Sequence, residues 1–170
     1  MSFLELAKAR YSCRKLSDAA IEPEKIERII QAAIAAPTAK NAQRYTIWEI
    51  KSPEAFDKLK QTTNYTFGAK LAFVIGAKKD GAFDRPFDNK NFSDIDAAIV
   101  ATHLMLAVQD EGLGTTWVGY FDAPKMQKLF PEMQGYELIA VFPVGYPAEG
   151  AKPNIRHEER RPVKEVVVEL

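Results

Sequence analysis

From Asp94 to Glu111 the chain carries a helical pattern that is apolar almost all the way round, and this segment constrains the fold more than any other. Ile95, Ala98, Ile99, Leu104, Met105, Leu106 and Val108 cover most of the circumference, leaving a narrow polar strip at Asp96, His103 and Asp110. A helix of that kind must be buried, either in a core or against a second subunit. The pattern predicts a helix capped by Asp94 and ended by Gly112, shared between the core and a dimer interface.

Layers are needed to cover it, and the remaining pattern supplies them. Phe3 to Arg10 reads as a short helix. A second begins near Pro23, with Ile26, Ile29, Ile30, Ala33 and Ile34 as its apolar stripe and Pro37 as its stop. Tyr45 to Ile50 alternates like a half-buried strand, whereas Leu71 to Ala77 is a continuous apolar run suited to a central strand. Pro53 to Thr62 between them reads as an exposed helix. Thr115 to Gly119 and Glu137 to Val144 read as strands separated by a short helix starting near Pro124, and the terminal Val-Val-Val-Glu-Leu as one more strand. Asp80 to Phe92, with Gly81, Pro86 and many charges, reads as a loop that reaches over a site; Phe83, Phe87 and Phe92 would stack there on an aromatic substrate, or the segment is a plain surface loop. No repeat, low-complexity tract or linker divides the chain. The expectation is one α+β domain over residues 1–170, a sheet covered by helices.

At 170 residues and 46% hydrophobic, such a domain can bury a core without disulfides. Lys plus Arg and Asp plus Glu each number 23, so no long-range field favours nucleic acid or anionic lipid, and any anion site must be local. The single cysteine, Cys13, excludes an internal disulfide framework and any multi-cysteine zinc site, and no metal cluster is expected. Between Arg10 and Arg14 it reads as a small packing residue, with thiolate activation the sharper alternative. The opening residues lack a leader pattern and no segment reaches the roughly 18 apolar residues that span a bilayer, so the expected location is the cytoplasm.

Four constellations carry possible chemistry. Arg10, Ser12 and Arg14 stand within five residues, where two guanidinium forks and a hydroxyl can converge on a phosphate, although the same residues fit a solvated face. The loop Pro37-Thr38-Ala39-Lys40-Asn41-Ala42-Gln43 is small and polar, and its amides pair a donor with an acceptor, as reading a heterocycle edge requires; a bland turn is the alternative. In Gly112-Leu113-Gly114-Thr115-Thr116-Trp117-Val118-Gly119-Tyr120 the glycines let a backbone approach a flat ligand. They follow a helix, which excludes a Rossmann fingerprint. Arg156 to Pro162 is a charged run that fits either a solvated tail or an anion site. His103 and His157 read as surface or interface histidines rather than catalytic ones.

In family order these four segments resemble the nitroreductase family of flavoproteins over nearly the whole chain. Arg10, Ser12 and Arg14 stand in the family's R-x-S-x-[RK] element. Pro37 to Tyr45 is similar to P-S-x-x-N-x-Q-P-W, departing at Thr38, Ala39, Arg44 and Tyr45 and matching best at Asn41 and Gln43. Asn64-Tyr65-Thr66-Phe67 resembles a segment whose aromatics border the substrate channel. The run Gly112 to Asp122 looks like the stretch beneath the flavin, and Arg160 with its neighbour Arg161 like the closing phosphate segment.

The resemblance implies a three-layer sandwich with a mostly antiparallel central sheet, dimeric, with FMN at the subunit interface. The FMN-binding set it implies is Arg10, Ser12, Arg14, Pro37, Thr38, Ala39, Asn41, Gln43, Lys70, Val118, Gly119, Tyr120, Arg160 and Arg161, with Tyr65 and Phe67 in the substrate channel. Arg14 and Lys70 would face the flavin's pyrimidine end, and backbone amides at Val118, Gly119 or Tyr120 its N5. No side chain acts as a catalytic nucleophile. Hydride would pass from NADH or NADPH through FMN to a nitroaromatic, quinone or similar small acceptor in ping-pong fashion. The alternatives are a flavin carrier or sensor, reductive dehalogenation, or oxidative ring chemistry.

Overall fold

The computed structural model describes residues 1–170. Its centre is β2 (Leu71–Ala77), every residue of which is buried. A run of seven consecutive apolar residues can be buried only where both faces of a strand are covered, and both are. Leu71, Phe73, Ile75 and Ala77 pack on one side with Ile29, Ala33, Ala97, Val100, Ala101, Leu104 and Val108. Ala72 and Val74 pack on the other with Phe56, Leu59, Met126 and Phe130. Helices α2 (Pro23–Ile34) and α4 (Ser93–Asp110) therefore form one layer, while α3 (Pro53–Lys60) and α5 (Ala123–Leu129) form the opposite one.

The sheet between them has the order β1-β2-β6-β5, with β1 at Tyr45–Ile50, β5 at Gly114–Thr115 and β6 at Glu137–Gly145. All three pairings are antiparallel. This is the expected α+β sandwich. At the β5 edge the chain's beginning is added alongside: after α1 (Phe3–Ala9), Ser12 bridges Thr115 in parallel and the Cys13 amide donates to the Thr115 carbonyl at 2.9 Å. Cys13 is fully buried with its thiol directed at the Lys15 carbonyl, which makes it the packing residue expected of it.

Four expectations are corrected. Helix α4 starts at Ser93 after Phe92, so Asp94 lies inside the first turn rather than at the cap; Asn91 Oδ1 accepts the Ser93 amide and the chain is already turning there. Asp96 is not on a solvent-facing strip but 2% exposed, because its Oδ1 accepts the Ala39 amide at 3.0 Å. The stretch 80–92 is not an irregular loop: β3 (Asp84–Arg85) and β4 (Lys90–Asn91) pair as a hairpin, stapled by Phe83 against Phe92 at 5.4 Å between ring centres. Finally, the terminal valines form no strand. Pro162 starts a one-turn helix, α6 (Val163–Val166), and no sheet edge lies beside Val167, Val168 and Leu170, which stay exposed.

Gly112 ends α4 as expected, at φ +73°, a left-handed conformation that glycine adopts without strain. No helix is long and apolar enough to cross a membrane.

Candidate cofactor site

The two ends of the chain meet. Ser17 donates its amide to the Tyr146 carbonyl, Lys15 Nζ reaches the Glu149 carbonyl at 2.6 Å, and His157 Nε2 lies 3.0 Å from the Lys8 carbonyl. Between them opens a cleft of about 460 Å³ lined by Arg10, Tyr11, Ser12, Arg14, Asn154, Arg156, His157 and Arg160. No carboxylate lines it.

The arginines of this chain divide in two. Arg28, Arg44, Arg85 and Arg161 each meet an Asp or Glu within 4 Å. Every other arginine, namely Arg10, Arg14, Arg156 and Arg160, has no acidic partner and lines the cleft. In a chain whose charges cancel, that concentration leaves a local field waiting for an anion. Its strain shows at Arg10, where burial and then the nearby Arg160 charge push the guanidinium below its usual pKa. The Tyr11 hydroxyl is pushed up to about 12 by burial and by its contact with Cys13, so it remains a neutral donor.

Local sequence explains why the segment sits here. An added Cβ at Gly114 would stand 2.9 Å from both Cβ and Sγ of Cys13. Gly114 therefore serves close packing of the Arg10–Arg14 segment, not approach to a flat ligand. At the other end, Asn154 Oδ1 accepts the Arg156 amide at 3.0 Å and starts the 3-10 turn Ile155–His157 that presents Arg156 and His157. Arg160 is held by the carbonyls of His157 and Glu159.

Not every expected residue reaches this cleft. Arg161 turns away to Glu165. Lys70 lines separate clefts with Lys51. Val118 is buried and its amide and carbonyl are both bonded to Val141, which leaves no N–H for a flavin. The amides of Gly119 and Tyr120 donate to no protein group, and an added Cβ at Gly119 would meet open space. These two residues line a cleft of about 320 Å³ with Thr62, Phe121 and Asp122. Tyr65 stacks edge-on against Tyr120 at 5.7 Å and tilts against Phe67 at 5.9 Å, so the expected channel aromatics and the free amides share one rim.

The third group, Pro37 to Gln43, also lies outside the arginine cleft. It is a tense turn: Lys40, Asn41 and Gln43 all have φ between 50° and 54°, which costs energy for residues other than glycine. Asp96 clamps it through the Ala39 amide, Thr38 Oγ1 accepts the Gln43 amide at 3.0 Å, and the Lys40 ammonium sits 4.8 Å above the Phe83 ring. Asn41 and Gln43 are left exposed.

Sequence reasoning passed over Tyr11 and Asn154, took Arg156 only as part of a charged run, and read His157 as a surface or interface histidine and Asp96 as part of a polar strip. An Asn two residues before an arginine in a Pro-Asn-Ile-Arg-His turn was a legible capping signal. The burial of Asp96 had none, because its partner is a backbone amide 57 residues away.

The fold and these clefts define an α+β protein whose open polar groups are of the kind that hold a phosphorylated organic ligand: guanidinium forks, a hydroxyl and free main-chain amides. Comparison with known proteins makes the class specific. A profile described as the nitroreductase family matches residues 7–66 and 58–146, and the chain belongs to that family. A nitroreductase family protein from Clostridium difficile is 37% identical, with 99% of this chain and 98% of that one covered at a TM-score of 0.91. A protein of Archaeoglobus fulgidus with the provisional name NADH dehydrogenase/NAD(P)H nitroreductase is 29% identical over 86% of each chain. Iodotyrosine deiodinase of Nematostella vectensis is 28% identical over 98% of this chain and 74% of its own length. The family is one of oxidoreductases that use FMN with NAD(P)H. Arg156, His157 and Arg160 lie beyond the matched residues, so their part in the site rests on geometry.

Proposed function

We propose that this protein is an FMN-dependent oxidoreductase that takes hydride from NADH or NADPH and delivers it to a nitroaromatic, quinone or similar small electron-poor acceptor. The observation that carries the reading is the convergence, in an acid-free cleft, of every arginine without a carboxylate partner. Arg10, Arg160 and Ser12 bind the phosphate of FMN. Arg14 lies at the pyrimidine end, where a cation balances the negative charge that reduction places there. The free amides of Gly119 and Tyr120 orient the ring edge, and Tyr65 with Tyr120 walls the acceptor's entrance. Bound FMN supplies the two-electron chemistry, and the chain's side chains supply position, charge and exclusion of water.

Within one protomer the Pro37–Gln43 turn is not part of the arginine cleft, and its exposed Asn41 and Gln43 line neither that cleft nor the one at Gly119 and Tyr120. A homodimer, with the turn of one protomer completing the cleft of the other, accounts for both. It also accounts for Ile95 and Leu106 of α4, which neither core cluster takes up and of which Ile95 is 38% exposed. The single domain of residues 1–170 is then half of a two-site enzyme.

An absorbance scan of purified protein tests the core of this reading: a flavin spectrum that releases FMN on denaturation is expected, and colourless protein that cannot be reconstituted overturns it. Initial rates should give parallel double-reciprocal lines, and intersecting lines exclude the ping-pong order. The deiodinase relative favours one second reading, reductive dehalogenation at the same site. Iodide released from a halogenated phenol faster than a nitroarene is reduced would select it.

A further inference from the structure

The arginine cleft holds more positive charge than FMN needs. A phosphomonoester carries about −1.5 to −2 at neutral pH, and Arg10, Arg160 and the Ser12 hydroxyl already match it. Arg14 is required at the ring. That leaves Arg156, which has no acidic partner, makes no side-chain hydrogen bond to the protein, and faces the same solvent-open cleft from the opposite wall. Its backbone is not adrift: the Asn154 side chain caps the turn that carries it, and His157 in the same turn is tied to the Lys8 carbonyl. A pre-positioned, unpaired guanidinium beside a filled phosphate site suits a second anion with planar oxygen pairs.

We infer that Arg156, with Asn154, binds a second phosphoryl group, carried by the nicotinamide dinucleotide, and so helps select the electron donor. This rests on the proposed function and adds to it a specificity-determining residue. The second phosphoryl group has two sources in such a donor: the 2′-phosphate that only NADPH carries, and the pyrophosphate that NADH and NADPH share. In either case the guanidinium meets an anion with no lining carboxylate to compete for it.

The test uses FMN-loaded wild-type protein and Arg156→Gln, titrated calorimetrically with NADP⁺ and with NAD⁺, with initial rates for NADPH and NADH beside them. Loss of a charge-assisted hydrogen-bonded contact weakens binding about 10- to 100-fold. A loss confined to NADP⁺ assigns the 2′-phosphate, an equal loss for both assigns the pyrophosphate, and either supports the inference. Arg156→Lys, which keeps the charge without the fork, should recover part of the affinity. Affinities for both dinucleotides unchanged within about twofold overturn it. So does loss of FMN from Arg156→Gln, since that would put Arg156 on the flavin phosphate. Wild-type protein that never takes up FMN overturns both this inference and the proposed function, and shows itself before any dinucleotide is added.

Discussion

Replacing Gly114 by Ala should loosen cofactor binding from outside the cofactor cleft. The added Cβ would lie 2.9 Å from Cys13 Cβ, 2.9 Å from Cys13 Sγ and 3.0 Å from Leu16 Cδ2. Leu16 can rotate aside, but Cys13 Cβ is fixed to a backbone that the Thr115 carbonyl holds at 2.9 Å and that Ser12 joins to Thr115. The clash therefore displaces the Arg10–Arg14 segment as a unit. Overpacking of this kind costs about 1–3 kcal/mol, and at this chain length each kcal/mol lowers Tm by roughly 2–4 °C, so a drop of about 2–12 °C is expected. Arg10, Ser12 and Arg14 move together, and misaligned guanidinium forks lose charge-assisted bonds that contribute about 1.5–3 kcal/mol each, so the Kd for FMN should rise at least tenfold. Thermal unfolding of apo protein and flavin fluorescence titration measure the two effects separately. Cys13→Ala in the Gly114→Ala background removes the Sγ contact while leaving the Cβ contact, and should restore part of both. A Gly114→Ala protein with wild-type Tm and unchanged FMN affinity refutes the claim that this packing sets the cleft.

Other perturbations separate the parts of the site. Arg160→Ala should abolish the rise in Tm expected of apo wild type in millimolar inorganic phosphate, because it removes one of the two guanidiniums that would hold the anion; the stabilisation behind that rise is about 2.7 kcal/mol at a hundredfold excess over Kd. Asp96→Ala removes the acceptor for the Ala39 amide and leaves a buried donor unpartnered, a loss of about 1–3 kcal/mol, whereas Asp96→Asn keeps an acceptor oxygen and should retain more of the stability, as chemical denaturation can determine. Ile95→Glu with Leu106→Glu on the outer side of α4 should give a monomer by light scattering that no longer holds FMN, and a flavin-loaded monomer would contradict the shared site. Glu111 is held below the usual carboxylate pKa by its bidentate hydrogen bonds with Arg28. Its folded value lies under the unfolded one of about 4.3, so its contribution is present above that pH and is lost as pH falls through the lower value. The Tm gap between wild type and Glu111→Gln should thus be open at pH 7 and close in strong acid.

What could be read from the sequence was whatever the chain repeats or concentrates locally. The buried run of β2, the apolar circumference of α4 and the glycine stop at Gly112 each declare themselves within a few residues and lie where their patterns require; the arginine pair around Ser12 is as plain in the sequence, and it lines the cleft. What could not be read depended on who stands opposite. Asp96 reads only as part of a polar strip because helical spacing reports position on the helix but not the neighbour, and the neighbour is the Ala39 amide. The family resemblance offers Val118 to the ligand, yet β6 consumes both of its backbone groups, so the free amides begin one residue later at Gly119. Gly114 and Gly119 are indistinguishable by type, and only the depth of Cys13 beneath one and the open cleft above the other divide packing from binding.

The same reasoning explains how a chain with no net charge builds an anion site. Ion pairing is a short-range competition, and each carboxylate that lies near an arginine removes it from the field. Arg28, Arg44, Arg85 and Arg161 are neutralised this way, two of them by residues three or four positions along the chain. Arg10, Arg14, Arg156 and Arg160 escape because the segments that carry them are joined without carboxylates: Cys13 to Thr115, Ser17 to Tyr146 and Ala148 to Lys15 through the backbone, and the His157 ring to the Lys8 carbonyl. Main-chain bonds carry no charge to compensate a guanidinium, so the sheet edge can draw both ends of the chain together while leaving their cations unmet. Burial first, and then the nearby Arg160 charge, hold the Arg10 guanidinium below its usual pKa, and an anion in the cleft would offset both. Under the proposed function, that anion is the phosphate of the cofactor.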